Sequence, residues 1–98
     1  MKNFYDYIKG YDIEDIRNMA EHGCSNGTGG MIHYTETSAI YDDYADELHD
    51  LVDRITQEFG AFPAYIADNI GTVACFKNAM VWFCAEVVAQ EILETMEA

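Results

Sequence analysis

The chain has 98 residues, half of them hydrophobic, and carries 18 Asp and Glu against 5 Lys and Arg, a formal net charge of -13. That length fits one small domain, 1–98, with enough apolar content for a packed core. The charge excludes duplex DNA binding through a basic patch and argues against docking on anionic membranes, because both need clustered Lys and Arg.

Asn3 caps a short predicted helix, Phe4 to Lys9, which Gly10 ends. Asp12 is placed to cap a second helix, with Ile13, Ile16, Met19 and Ala20 on one face and Glu14 and Asp15 at its positive end. Gly23 suits a left-handed stop, which leaves His22 in the last turn. The run from Cys24 to Gly30 reads as a loop. Met31 to Thr35 alternates weakly and is expected as a short extended segment, with no second strand to pair with.

The clearest pattern follows. Thr35 or Thr37 is the expected cap of a helix reaching about Phe59, with Gly60 as its stop. Ile40, Tyr41, Tyr44, Leu48, Leu51, Val52, Ile55 and Phe59 recur at three- and four-residue steps and fill one arc. Asp42, Asp43, Asp46, Glu47, Asp50 and Asp53 fill the opposite arc, interrupted only by Arg54. Pro63 opens a short helix to Asn69, and Gly71-Thr72 breaks and recaps the chain. A long helix then covers Val73 to Met96. Between Val73 and Val88 it is apolar almost all round, so it is buried centrally or shared with a partner. At about 36 Å it is as long as such a domain is wide, so either its end protrudes or a second subunit covers it, and of the two a homodimer is favoured. The fold class is therefore all-α, or nearly so: a small helical bundle with an acidic amphipathic helix and an apolar C-terminal helix.

The six carboxylates from Asp42 to Asp53 recur about every 3 Å along a straight helix, close to the 3.4 Å charge spacing of one DNA strand. Like charges at adjacent steps weaken an isolated helix, and one Arg does not offset six acids. This concentration points to a phosphate-mimicking surface. The competing reading is an ordinary solvated helix face. Tyr41 and Tyr44, beside the acids, suit a protein-binding surface or the boundary of the core. A Ca²⁺ or Mg²⁺ site among the acids would lack the EF-hand pattern.

His22, Cys24 and His33 are candidate metal or ligand contacts, with Cys75 or Cys84 available to close a tetrahedron, but their spacing matches no usual zinc pattern. The plainer reading makes His22, Gly23 and Cys24 a helix terminus, and places Cys75 and Cys84 in the core. The Gly27-Thr28-Gly29-Gly30 turn lacks the lysine of a phosphate-binding loop. Three cysteines without a Cys-x-x-Cys pair suit a reducing compartment, and the first residues show no apolar leader, so a cytoplasmic protein is expected. No acid, base and nucleophile can be grouped, so no catalytic activity, metal or cofactor is expected.

The order His22-Gly23-Cys24, Gly29-Gly30, Tyr34 with Glu36-Thr37, then Tyr41-Asp42 and an acidic helix resembles a family of short phage-encoded proteins of unknown function. The stretch Phe76-x-Asn78-Ala79-x-Val81-Trp82-Phe83, followed by Glu86-Val87-Val88-Ala89, is similar to their C-terminal helix. The resemblance implies a phage or prophage origin and carries no catalytic residues across. By analogy in size and charge it suggests an anti-CRISPR or anti-restriction inhibitor. The expected function is thus occupation of a basic nucleic-acid channel in a host defence complex. Asp42, Asp43, Asp46, Glu47, Asp50 and Asp53, with Tyr41 and Tyr44, would be the contact residues. The alternatives are a small metal- or ligand-binding protein built on His22, Cys24 and His33, and a structural or regulatory homodimer.

Overall fold

The computed structural model describes residues 3–24, 32–68 and 71–97, and across these residues it contains five helices and no strand. They are α1 (Phe4–Lys9), α2 (Ile13–His22), α3 (Tyr34–Phe59), α4 (Ala64–Ala67) and α5 (Val73–Glu97). The protein is a small all-α bundle. No described helix is long and apolar enough to cross a membrane.

Local chemistry explains most helix ends. The Asn3 side chain accepts from the Asp6 N–H at 2.8 Å and so satisfies one of the orphan donors of α1. Thr72 does the same for Cys75 at 3.0 Å at the start of α5. Gly60 ends α3 in the left-handed conformation, φ 74°, where a Cβ would be strained. Asp12 sits at the N-cap of α2, but its side chain makes no capping bond there.

Three expectations about element boundaries need correction. The extended or irregular segment expected over 31–35 is shorter: Ile32 and His33 lie outside a helix, with His33 in extended backbone, and α3 already begins at Tyr34. Met31 and the glycine-rich turn at 27–30 lie outside the described residues. The cap of α3 is His33, not Thr35 or Thr37. The His33 ring Nδ1 accepts from the Thr35 N–H at 3.2 Å, and the Glu36 carboxylate accepts from the His33 N–H at 3.2 Å. This reciprocal pattern lets a histidine replace the usual Thr or Ser at the cap. Thr37 is instead fully buried, and its hydroxyl donates to the Asn78 side-chain oxygen on α5. The short helix after Pro63 covers only Ala64–Ala67, and Asn69 lies outside the described residues.

α5 organises the bundle by touching all four other helices. Ala79, Met80 and Val81 are consecutive and about 100° apart around the helix, yet each is at most 1 % exposed. Only a helix surrounded by its own chain buries three successive directions. A helix of 25 residues rises about 36 Å, which matches the 36 Å longest extent of the fold. Its middle therefore runs through the bundle, and its two ends reach the surface. Val73 and Met96, near its two ends, remain exposed.

α3 lies along α5 in the same direction. Contacts climb both helices together: Thr37 to Asn78, Asp42 to Lys77 at 2.9 Å, the Cys84 thiol donating to the Leu48 carbonyl at 3.6 Å, and Arg54 to Glu91. The connection through α4 carries the chain back to restart the second helix beside the beginning of the first. Ile40, Leu48 and Val52 supply the buried face of α3. α1 crosses the same helix near its middle. Phe4 is 2 % exposed, and its ring meets the edge of Tyr44 at 5.7 Å between centroids.

Removing the α1 anchor tests this arrangement. Phe4→Ala is expected to cost about 3 kcal/mol by cavity formation, read as a lowered urea midpoint. Phe59→Ala, at a position 77 % exposed, should change stability by no more than about 0.5 kcal/mol.

Candidate functional site

The acidic helix is not an unbroken rod. Tyr44 interrupts α3 with φ -125° and ψ 18°, so two helical segments meet there in a kink. The kink coincides with the docking of α1. Tyr44 packs against Phe4 and, at 5.8 Å between ring centroids, Tyr7. One turn later, the Glu47 carboxylate accepts the Phe4 backbone N–H at 2.7 Å. That N–H is an orphan donor at the positive end of α1, where a carboxylate is doubly favoured.

The six expected carboxylates therefore have different fates. All six residues are exposed. Glu47 is engaged by α1 and Asp42 by Lys77. Asp43, Asp46, Asp50 and Asp53 join no ion pair among the described residues. Asp46, Asp50 and Asp53 lie beyond the kink at steps of four and three, so they share one face of the straight segment. Arg54 turns away to Glu91 on α5 and leaves this face uncompensated. The expectation of six free charges on one stiff rod is thus corrected: the helix bends at Tyr44, and three of the exposed carboxylates beyond it, with Asp43 just before the bend, are unpaired among the described residues. Neighbours from α1 and α5, invisible in a wheel of α3 alone, make the difference.

The two tyrosines expected at this surface serve packing. Tyr44 is half-buried under α1. Tyr41 is also half-buried: its hydroxyl lies 2.7 Å from the His49 Nε2, its ring meets Phe76 at 6.0 Å, and the Lys77 ammonium lies 5.4 Å from the ring centroid. The lysine is thus held between a carboxylate and an aromatic face, both of which favour a cation. At the bend, Asp42 to Glu47 line a shallow cleft of about 300 Å³. Among the described residues, no cluster of three or more His, Cys, Asp or Glu is disposed to hold a metal.

His22, Cys24 and His33 do not form one site. His33 caps α3. His22 and Cys24 instead line a cavity of about 270 Å³ with Gly23, Tyr65, Trp82, Phe83 and Glu86. α2 delivers the first two residues at its C-terminal end, where the Ala20 carbonyl accepts from the Gln90 side chain at 3.2 Å. α4 contributes Tyr65. α5 contributes Trp82 and Glu86, four residues apart and so on one face. The Trp82 indole N–H donates to the Ile32 carbonyl at 2.8 Å, which fixes the ring plane. Partial burial raises the pKa of Glu86 above the ordinary carboxylate value. Sequence reasoning missed this convergence. Its only trace was a carboxylate at position 86, directly after the most apolar run of the chain.

The cysteines divide sharply. Burial, with a smaller contribution from Glu86, pushes the Cys24 thiol up to about 12, and burial alone pushes Cys84 to about 12. Neither is a nucleophile at neutral pH. Cys75, expected in the core, is exposed, because the first turn of α5 extends past the helices that cover its middle.

The whole chain, residues 1–98, matches the model of a domain of unknown function, DUF7222, and the protein belongs to that family. No curated protein and no solved structure matches it.

A thiol reagent such as Ellman's is expected to modify Cys75 rapidly in the native protein, and Cys24 and Cys84 only after denaturation; three fast thiols would contradict the packing. Glu86 gives a pH prediction with a definite sign. Its folded-state pKa is raised, so its effect on stability is most favourable below the carboxylate range and is lost as pH rises through the raised value. Glu86→Gln should therefore become progressively more stable than the parent as pH increases through and above that range, as judged by thermal melts at several pH values.

Proposed function

We propose that the protein is a non-enzymatic binding protein whose acidic α3 face occupies the basic nucleic-acid channel of another protein. The specific form of this reading is a phage-type inhibitor of a host defence complex. One observation carries it: Asp43, Asp46, Asp50 and Asp53 are exposed together and unpaired among the described residues, in a chain of net charge -13. A helix face optimised for stability alone would interleave signs.

Electrostatics, more than close phosphate mimicry, supports this reading. From Asp46 to Asp53 the helix rises about 10 Å, so three carboxylates recur about every 5 Å. This is wider than the 3.4 Å of a single DNA strand. A one-to-one phosphate register is therefore not required. The face would instead steer a basic partner toward itself and dock by charge complementarity, which raises association rates and is screened by salt.

Asp46→Lys combined with Asp50→Lys reverses the centre of the face without touching the core. With nuclease-treated lysate of a host carrying CRISPR or restriction systems, the parent protein is expected to capture a nucleic-acid-binding complex that added duplex DNA displaces. The double variant should bind it at least about tenfold more weakly. Capture that is indifferent to the substitutions, to salt and to competing DNA would remove the proposal.

A further inference from the structure

We propose that the cavity between α2, α4 and α5 is a binding site for a small organic ammonium group, held by the aromatic rings of Tyr65, Trp82 and Phe83 and neutralised by the Glu86 carboxylate. The proposal goes beyond the acidic-face reading and uses none of its residues.

Four observations converge on it. The cavity is real in size, about 270 Å³, near the low end of small-ligand pockets and suited to a head group more than an extended molecule. Three of its seven lining residues are aromatic, and aromatic faces attract cations through their quadrupole. Trp82 offers the strongest such face, and its bond to the Ile32 carbonyl holds it in place before any ligand arrives. Glu86 is half-buried, yet it has no ion pair among the described residues. A carboxylate drawn out of water without a partner is costly, and a cation in the cavity removes that cost.

The remaining polar groups do not compete for the site. The His22 Nε2 lies 3.7 Å from Glu21 at the rim, and its side chain is 64 % exposed. The Cys24 thiol is held protonated by burial and contributes no charge. An anionic ligand would meet the Glu86 carboxylate with no Lys or Arg among the described lining residues to offset it. A metal ion would find one carboxylate where it needs several ligands, consistent with the lack of a metal-competent cluster among the described residues. A methylated ammonium, weakly hydrated and large enough to touch several rings, matches the combination of apolar walls and a single acid.

Trp82 is the only tryptophan in the chain, so its emission reports on the cavity directly. Purified full-length protein is titrated with tetramethylammonium, with choline, with a peptide carrying trimethyllysine, and with 3,3-dimethylbutanol, the uncharged isostere of choline. Saturable emission changes are expected with at least one of the three cations, and at least tenfold weaker binding with the neutral isostere. The tighter of choline and the peptide then identifies the source as a free amine or a protein side chain. Glu86→Gln, which keeps the shape of the side chain, should weaken cation binding about tenfold with an unchanged far-UV spectrum. Asp46→Lys with Asp50→Lys should leave it unaltered, which separates this site from the α3 face. Equal binding of the isostere, insensitivity to Glu86→Gln, or no saturable response to any of the cations would each overturn the proposal.

Discussion

A helix that is apolar on every side can exist in water only if other elements surround it, and α5 imposes this requirement on the rest of the chain. Its middle buries Ala79, Met80, Val81, Cys84, Ala85, Val88 and Ala89 in almost every direction. The remaining helices each spend an apolar stripe on covering it: Phe4 and Ile8 from α1, Ile16 and Met19 from α2, Ile40, Leu48 and Val52 from α3, and Ile66 from α4. Once the interior is committed to α5, charged residues on the other helices have only the outside to occupy. The acidic surface is thus partly the geometric complement of a single greasy helix. Its lack of compensating bases is what distinguishes it from an ordinary exterior.

The carboxylates on that exterior do not form one population. Glu47 serves the end of α1, Asp42 is tied to Lys77, and Asp43, Asp46, Asp50 and Asp53 face outward unpaired among the described residues. The engaged pair flanks the kink at Tyr44, and the contacts that engage it bring α1 and α5 against α3. A surface ion pair such as Asp42 with Lys77 is worth at most about 1 kcal/mol, so its importance lies in which charges it leaves over. Unpaired negative charge among the described residues is therefore concentrated beyond the bend, on the straight half of α3.

The cavity beside Trp82 arises from a different economy. Among the described residues, α2 ends beside this part of α5 and α4 is only four residues long. Trp82 and Phe83 are half-buried there, although their neighbours Val81 and Cys84 are sealed. A polar side chain is tolerated at position 86 because the gap retains some access to water. The described residues around Trp82 thus form a concave, aromatic space with one carboxylate.

Periodicity, glycine positions and capping residues were sufficient to read five helices, their order, the Asn3 and Thr72 caps and the Gly60 stop, because each of these depends on neighbours within about one turn. The cap at His33 was hidden, since histidine rarely takes that role and the confirming partner, Glu36, looked like one more acid. What only the tertiary structure decided were the bend at Tyr44, the diversion of Asp42 and Glu47, the exposure of Cys75, the separation of His33 from His22 and Cys24, and the meeting of Tyr65 with Glu86. All of these rest on contacts between residues far apart in the chain, such as Phe4 with Glu47 or Ile32 with Trp82. A wheel drawn for one helix shows which way a side chain points, but not what waits there, because that depends on how separate helices settle around α5.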